Sequence, residues 1–250
     1  MRRSVVFLAL GTLAVALPIM AITYGQPDGN DHPNVGALVG TFNGQTYPYC
    51  SGTLISPTVF LTAAHCDIGS SSVRVTFDSV FTSHSRLYAG TFYADPRYNQ
   101  AQSDPHDIAV VVLSRAINGI VPAALPAAGQ LSGLPHDQAF TNVGYGGQEP
   151  VNGPGGPVIG YLDIREASTS TLNATNPAWL RLSQNPHTGD GGTCYGDSGG
   201  PNFLGAGDFE TNVVASTTIT GDALCKATNV VYRTDTASAR DFLGHFVVLP

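Results

Sequence analysis

A glycine-rich stretch at residues 193–201, Thr-Cys-Tyr-Gly-Asp-Ser-Gly-Gly-Pro, constrains the fold of this chain more than any other feature. It cannot form a regular helix, because Gly196, Gly199 and Gly200 permit backbone angles that other residues avoid. Such a turn presents Ser198 to a ligand, and the backbone N–H groups of Gly196 and Ser198 could together hold an oxyanion. A serine hydroxyl is a weak nucleophile without an adjacent base. The stretch is therefore either an inert turn or, if the chain supplies a histidine and a carboxylate, the site of a nucleophile.

The composition favours an all-β chain with many turns. Only 12% of the 250 residues are charged, whereas there are 29 glycines and 17 prolines. The net charge is −7 and no basic run is present, so we expect neither a nucleic acid nor an anionic membrane surface as a partner. No Cys-x-x-Cys pair and no histidine cluster with metal-ligand spacing occurs, so we expect no metal and no cofactor.

The N-terminus is typical of an export signal. Arg2 and Arg3 precede an apolar run that ends before Pro18, and the run is shorter than the roughly 20 apolar residues that span a membrane. We therefore predict a signal peptide at residues 1–21, cleaved after Ala21, and a secreted protein. Four cysteines in an exported chain predict two disulfides, and three pairings are open at this point.

Short apolar or alternating runs lie on both sides of a Pro- and Ala-rich linker at residues 118–135. This pattern predicts two β-barrels, an N-terminal one over 22–120 and a C-terminal one over 121–250. Apolar residues at helical spacing predict an amphipathic helix over 237–249. The predicted strands cover residues 35–42, 49–56, 59–62, 73–77, 87–93, 108–113, 140–145, 158–167, 179–182, 211–218 and 230–233.

Two further segments carry candidate partners for Ser198. His65 ends an apolar run beside Cys66, and by itself it would be interpreted as a solvent-facing loop residue. Asp107 stands at the start of a buried apolar strand, where a carboxylate needs a hydrogen-bond donor. The alternative is that Asp107 only caps a turn; a histidine N–H would be a suitable donor.

Three motifs, taken together, resemble the catalytic motifs of trypsin-like (chymotrypsin-fold) serine proteases. They are Leu-Thr-Ala-Ala-His-Cys at 61–66, Asp-Ile-Ala-Val at 107–110 and Gly-Asp-Ser-Gly-Gly-Pro at 196–201, in that family's order. The resemblance covers the predicted mature chain from Ile22. It implies two antiparallel six-stranded Greek-key β-barrels with a short C-terminal helix, and a monomeric secreted serine endopeptidase. Its partners would be protein or peptide substrates and protein inhibitors.

The resemblance also implies roles for individual residues. Ser198 would be the nucleophile, His65 the general base and Asp107 the residue that orients the imidazole. The backbone N–H groups of Gly196 and Ser198 would form the oxyanion hole. Ser216 matches a serine that helps to orient the aspartate. The implied disulfides pair Cys50 with Cys66, and Cys194 with Cys225.

Activation and specificity follow from the same resemblance. In the family, a newly cut N-terminus pairs with the aspartate before the nucleophile, which implies an ion pair between Ile22 and Asp197. We expect signal cleavage itself to release the Ile22 amine. The specificity pocket would involve Gly192, Thr193, Tyr195, Ser216, Thr218 and Val230. No carboxylate lies at its floor and side chains narrow its walls, so we predict cleavage after small apolar residues, as in elastase-like members, rather than after Arg or Lys.

Two other interpretations remain open from the sequence. Residues 196–200 also fit the G-x-S-x-G motif of an α/β-hydrolase, with Asp235 and His245 in that fold's order. However, that motif needs a strand before it and a helix after it, whereas a polar loop and Pro201 flank it here. The chain could also be a catalytically silent protease homologue that acts as a secreted binding protein; the complete set of Ser198, His65 and Asp107 argues against this.

Overall fold

The structure is a computed structural model that describes residues 22–250, so the predicted signal peptide at residues 1–21 lies outside the described residues. Antiparallel strands are the main regular structure and form two closed six-stranded barrels, with one α-helix near the C-terminus, as the sequence predicts. The strands are β1 (Gln26–Pro27), β2 (Val35–Phe42), β3 (Gln45–Ser56), β4 (Val59–Thr62), β5 (Ser72–Thr76), β6 (Tyr88–Ala94), β7 (Ala109–Leu113), β8 (Ala139–Gly144), β9 (Val151–Gly153), β10 (Gly156–Val158), β11 (Glu166–Thr175), β12 (Trp179–Ser183), β13 (Pro201–Leu204), β14 (Val214–Gly221) and β15 (Thr228–Arg233); the helix α1 is Ala237–Leu243.

The first barrel closes in the order β2-β3-β4-β7-β6-β5. Its interior is apolar, with Leu38, Phe60 and Val111 almost fully buried. The strands approach closely where Gly52 faces β4, because a Cβ atom there would lie 2.4 Å from the Leu61 carbonyl oxygen. This apolar interior explains why the hydrophobic pattern places strands β2 and β4 at the residues that the structure gives them.

The second barrel contains β8, β11, β12, β13, β14 and β15, and it closes through the pairing of β11 with β8. Its interior is partly polar: the Ser170 hydroxyl donates to Asn142 Oδ1 at 3.1 Å, and Asn229 Nδ2 donates to Asn202 Oδ1 at 3.3 Å. The predicted strand over 158–167 is wrong, because β11 begins only at Glu166 and continues through alternating Ser and Thr to Thr175. Hydrophobic periodicity does not detect a strand whose inward side chains are hydroxyls.

Helix α1 ends at Leu243, with Gly244 as its C-cap, which is earlier than the predicted end at residue 249. The Thr236 hydroxyl caps its start by accepting from the Ala239 N–H at 3.2 Å. Although α1 follows the second barrel in sequence, it also contacts the first one, since Asp241 forms a 3.0 Å ion pair with Arg97. The helix therefore ties the two barrels together.

A chain of four charged side chains joins the N-terminal segment to the second barrel. Arg165 is fully buried and donates to Asp28 Oδ2 at 2.6 Å. Asp28 also contacts Nδ1 of His32, whose Nε2 lies 2.6 Å from Glu210 Oε1. The His32 ring stacks on Phe203 with ring centroids 5.3 Å apart. These contacts, here called the ion-pair chain, balance two positive and two negative charges when His32 is protonated.

The protonation of His32 follows from its two neighbours. Burial alone would lower its pKa, but the hydrogen bonds and charges of Asp28 and Glu210 outweigh burial and raise the pKa to about 9. The unfolded value is about 6.5. Because the folded pKa is higher, the contribution of His32 to stability is complete below about pH 6.5 and is lost as pH rises through about 9.

We predict that His32→Gln lowers the free energy of unfolding by about 2–3 kcal/mol near pH 6, and that its difference from the parent protein shrinks as pH rises through 9. Denaturant titrations at pH 6, 8 and 10 measure this. His187→Gln, at an exposed position, is the matched control and should have little effect. A His32→Gln difference that is the same at all three pH values would contradict the proposed charge state.

Candidate active site

His65 lies where β4 ends, on a short 3-10 turn of residues Ala64–Cys66. The neighbouring Cys66 forms a disulfide with Cys50 on β3, and β3 pairs with β4. These are the two cysteines that the family resemblance pairs. Because both ends of the turn are attached to adjacent strands, the backbone of His65 is held in place.

Asp107 reaches His65 through strand pairing. Thr62 at the end of β4 is opposite Ala109 at the start of β7, so the residues that flank these positions meet at one end of the barrel. Asp107 Oδ2 lies 2.7 Å from His65 Nδ1, and Asp107 Oδ1 accepts the His65 backbone N–H at 3.0 Å. Asp107 is 5% exposed. Its carboxylate holds His65 at two points, the backbone N–H and the ring, and favours a proton on Nδ1, which leaves the Nε2 lone pair free.

The loop before Asp107 is held by the second barrel and the helix. Asp104 accepts hydrogen bonds from the Tyr232 hydroxyl at 2.8 Å and from the Ser238 hydroxyl at 2.6 Å. The Trp179 indole N–H donates to the Gln102 carbonyl at 2.9 Å. Through these contacts, α1 and the second barrel support the loop that carries the Asp107 carboxylate.

Ser198 lies on the loop before β13. Its carbonyl accepts the Ser51 N–H at 2.8 Å, and the Gly199 N–H donates to the Thr218 carbonyl at 2.8 Å. Gly199 has φ +77°, and a Cβ atom there would lie 2.1 Å from Thr62 Oγ1, so only glycine allows the loop to approach the first barrel this closely. The predicted disulfide between Cys194 and Cys225 is also present.

Ser198 and His65 line the same pocket, whose volume is about 380 Å³. Among residues 22–250, no hydrogen bond joins the Ser198 hydroxyl to His65. Such bonds are often long or misaligned without substrate and tighten when it binds. The backbone N–H groups of Gly196 and Ser198 have no acceptor within the described residues, whereas the Gly196 carbonyl accepts from the Ser51 hydroxyl at 3.0 Å. Two unpaired donors therefore lie beside the serine.

Asp197 lies on this same loop, and its side chain is buried. Its carboxylate accepts the N–H groups of Gly146 and Cys194, both at 2.8 Å. A Cβ atom at Gly144 would lie 2.1 Å from this carboxylate and one at Gly146 would lie 2.4 Å from it, so the glycines make room for it. Burial raises the pKa of Asp197 to about 7, and the two N–H donors only partly oppose this effect.

Ile22 does not pair with Asp197 in this uncut chain. Its nitrogen is in a peptide bond with Ala21, and no contact joins it to Asp197 within the described residues. The Ile22 side chain is fully buried, and the next residue, Thr23, exchanges two 3.0 Å hydrogen bonds with Gly192. The N-terminal segment is therefore already placed next to the loop that carries Ser198.

The pocket beside Ser198 differs in part from the predicted one. Thr193, Tyr195 and Thr218 line it as predicted, together with Ile219, Thr220, Gly221, Asp222 and Ala223. Ser216, Gly192 and Val230 are not among its lining residues. Ser216 is fully buried in β14 opposite Asn202 and Arg233, and no hydrogen bond joins it to Asp107 within the described part of the chain. Strand β14 ends at Gly221, three residues later than the predicted strand. Residues 218–221 at its end therefore line the pocket, and Ser216 does not.

Sequence reasoning missed Asp222 and Gln184. Asp222 lines the pocket, and its Oδ1 accepts the N–H groups of Ala227 and Thr228 at 2.8 Å each. Burial would raise its pKa, but the N–H donors of residues 226–228 outweigh burial and hold the pKa below its usual value. Gln184 lies behind the pocket with no exposed surface. Neither residue belongs to a motif; both are identified only by contacts across the fold.

A second and larger hollow of about 910 Å³ lies on the other side of Gly196. Four tyrosines contribute to its lining, namely Tyr47, Tyr49, Tyr161 and Tyr195. Tyr195 lines both this hollow and the pocket of Ser198, and Gly196 lines the larger hollow. The two hollows therefore adjoin at Tyr195.

One group of side chains has the spacing of a metal site within the described residues, consisting of Cys50, His65 and Cys66. Both sulfur atoms are in a disulfide and cannot act as thiolate ligands, so the group does not have the donors that a metal needs. Within residues 22–250, no helix has the length and apolar character needed to cross a bilayer.

Comparisons with known proteins agree with this geometry. A family model described as Trypsin matches residues 27–242. A trypsin of Saccharopolyspora erythraea is 31% identical over 192 residues, covering 71% of this chain and 79% of the relative. A trypsin of Phaedon cochleariae is 28% identical over 224 residues, covering 76% and 82%. A brachyurin of Leptuca pugilator is 33% identical over 172 residues, covering 61% and 70%. The chain therefore belongs to the trypsin family and is a serine endopeptidase.

Proposed function

We propose that the protein is a secreted endopeptidase that cleaves peptide bonds through Ser198, His65 and Asp107. The observation that carries this proposal is the position of His65, which is hydrogen-bonded to Asp107 on one side and lines the pocket of Ser198 on the other. The two disulfides fit export, because such bonds persist in oxidising compartments. The all-β fold excludes the α/β-hydrolase alternative, which needs a strand–turn–helix around the serine.

The reaction follows from the positions of the donors and acceptors. Ser198 Oγ attacks the carbonyl carbon of the substrate while its proton passes to His65 Nε2, and Asp107 stabilises the resulting imidazolium. The carbonyl oxygen becomes an oxyanion, which accepts the N–H groups of Gly196 and Ser198. His65 then gives its proton to the leaving nitrogen as the C–N bond breaks. Water repeats these steps on the acyl-enzyme, which releases the acid and restores the Ser198 hydroxyl.

Activation is proposed to require a free amine at Ile22. Asp197 is buried without a cation among the described residues, and its raised pKa reflects the cost of that position. Cleavage after Ala21 would release an amine in the segment that already pairs with Gly192 through Thr23. Pairing this amine with Asp197 would stabilise the ionised carboxylate and order the loop that includes Gly196 and Ser198.

The proposed preference is for small apolar residues before the cleaved bond. Gly192 brings no carboxylate to the floor that the family resemblance assigns to it, and the Thr218 side chain lines the pocket, whose volume is about 380 Å³. The large hollow on the far side of Gly196 would receive the residues after the cleaved bond, and its tyrosines favour apolar and aromatic side chains there.

We predict that a fluorophosphonate probe labels the mature protein and that Ser198→Ala abolishes labelling. Asp107→Asn should lower kcat about 10⁴-fold, because it disrupts the imidazole tautomer. Ser216→Ala is the matched serine control and should remain labelled, since Ser216 does not line the pocket. No labelling of correctly processed, folded protein would instead favour a catalytically silent binding protein.

We predict that N-terminal sequencing of the active protein begins at Ile22. A start beyond Gly25 would exclude the proposed ion pair, because the segment that pairs with Gly192 would be lost.

We predict that the uncut chain, in the Ser198→Ala background, loses stability between about pH 4 and pH 7. The folded pKa of Asp197, about 7, exceeds its unfolded value of about 3.9, so the folded state binds the extra proton and stability falls as that proton dissociates. Asp197→Asn should remove this part of the slope, and a chain that begins at Ile22 should show a smaller one. Equal slopes in all three proteins, measured by urea titration, would contradict the assignment.

We predict that kcat/KM for peptides with Ala or Val before the cleaved bond exceeds that for Arg, Lys or Phe by at least about tenfold. A peptide library cleaved by the mature protein measures this. A profile dominated by Arg, Lys or Phe would overturn the proposed preference.

A further inference from the structure

We propose that Gln184 closes the bottom of the pocket beside Ser198 and thereby limits the size of the substrate side chain that the enzyme accepts. This inference rests on the proposed function and supplies a structural cause for the preference for small residues. Gln184 does not belong to any catalytic motif, and it does not touch the reacting atoms. It would act by occupying space, which makes it a specificity-determining residue.

The first observation is a steric one. A Cβ atom added at Gly192 would lie 2.1 Å from Gln184 Oε1, 2.3 Å from Gln184 Cβ and 2.8 Å from Gln184 Cδ. The amide end could rotate away, but Gln184 Cβ is attached to the backbone and cannot. Gln184 therefore occupies the space into which a side chain at position 192 would project. Its exposure is 0%, so no open space remains around it.

The second observation is that the amide is held on both sides. Gln184 Oε1 accepts the Thr193 N–H at 3.0 Å, and Gln184 Nε2 donates to Asp222 Oδ1 at 3.1 Å. Nε2 also lies 3.3 Å from the Thr228 carbonyl oxygen. Thr193 and Asp222 both line the pocket, on different segments of its wall. The amide thus bridges two walls, directly behind the surface that the substrate side chain would meet.

These contacts also resist displacement by a substrate. Asp222 is itself fixed by the N–H groups of Ala227 and Thr228, so its carboxylate cannot follow a moving amide. If a large substrate side chain pushed Gln184 aside, the buried Thr193 N–H and the amide would both lose their partners. The pocket is therefore expected to reject large residues rather than to adapt to them.

The test compares two replacements of different volume in the mature enzyme. Gln184→Ala removes most of the side chain, whereas Gln184→Met keeps a similar volume but removes the hydrogen bonds. For each protein we measure kcat/KM on matched peptides with Ala or Leu before the cleaved bond, and count active sites with a fluorophosphonate. We expect the Leu/Ala ratio to rise at least about tenfold for Gln184→Ala and to stay within about threefold of the parent for Gln184→Met.

The outcomes separate this inference from the proposed function. If the parent enzyme is not labelled, the proposed function fails. If it is labelled and Gln184→Ala leaves the Leu/Ala ratio unchanged, only the inference fails. Equal shifts in the Ala and Met variants would also overturn it, because the effect would then follow from lost hydrogen bonds and not from volume.

A stability cycle tests the same geometry without relying on activity. Gly192→Ser alone should strongly destabilise the protein, since its new atoms would overlap Gln184. Combined with Gln184→Ala, the same substitution should cost much less, because the serine then fills the vacated space. If Gln184→Ala alone does not fold, the double variant is expected to recover folded protein. Additive effects on unfolding, or no recovery, would contradict the inference.

Discussion

The two-point contact between Asp107 and His65 is the interaction on which the rest of the site depends. One carboxylate binds both the backbone N–H and the ring of the same residue, so the position and the tautomer of the imidazole are set together. The contact exists because β4 and β7 are paired in a register that brings the end of one strand to the start of the other. The disulfide of Cys66 and the helix contacts to Asp104 support its two sides. The first barrel thus holds the imidazole of His65, the proposed base, in a fixed orientation.

The second barrel carries Ser198, the proposed nucleophile, on a loop that approaches the first barrel at Gly199. Gly199 lies so close to Thr62 that any side chain would collide, and this closeness brings Ser198 to the pocket of His65. Neither barrel contains the whole constellation. The relative orientation of the two barrels therefore matters for the proposed function. Helix α1 contacts both barrels, and the ion-pair chain joins the N-terminal segment to the second barrel.

The three motif residues are identified through their resemblance to a family. Sequence alone predicts the fold class, because that depends on local patterns: apolar alternation and glycine turns. It fails where the determining contact is non-local. The hydrophobic pattern does not detect most of strand β11, because inward residues such as Ser170 pair with polar partners on another strand. The family resemblance places Ser216 at the pocket, but β14 continues to Gly221, and nothing local in the sequence reveals this. Gln184 matters only through its position against Gly192, eight residues along the chain and on a different segment.

The placement of Asp197 connects the proposed cleavage to the proposed chemistry. It lies in the chain between Gly196 and Ser198, whose N–H groups are the proposed oxyanion donors, so the environment of its carboxylate bears directly on the loop that carries both donors. Its present partners are two backbone N–H groups, which are too few to offset the cost of burying a charge, as the raised pKa indicates. A cation beside the Asp197 carboxylate would offset the cost of burying its charge and would stabilise the loop. In the proposed enzyme that cation is the Ile22 amine, which exists only after the chain is cut. The burial of Asp197 that destabilises the uncut loop therefore makes the ordering of the loop depend on cleavage.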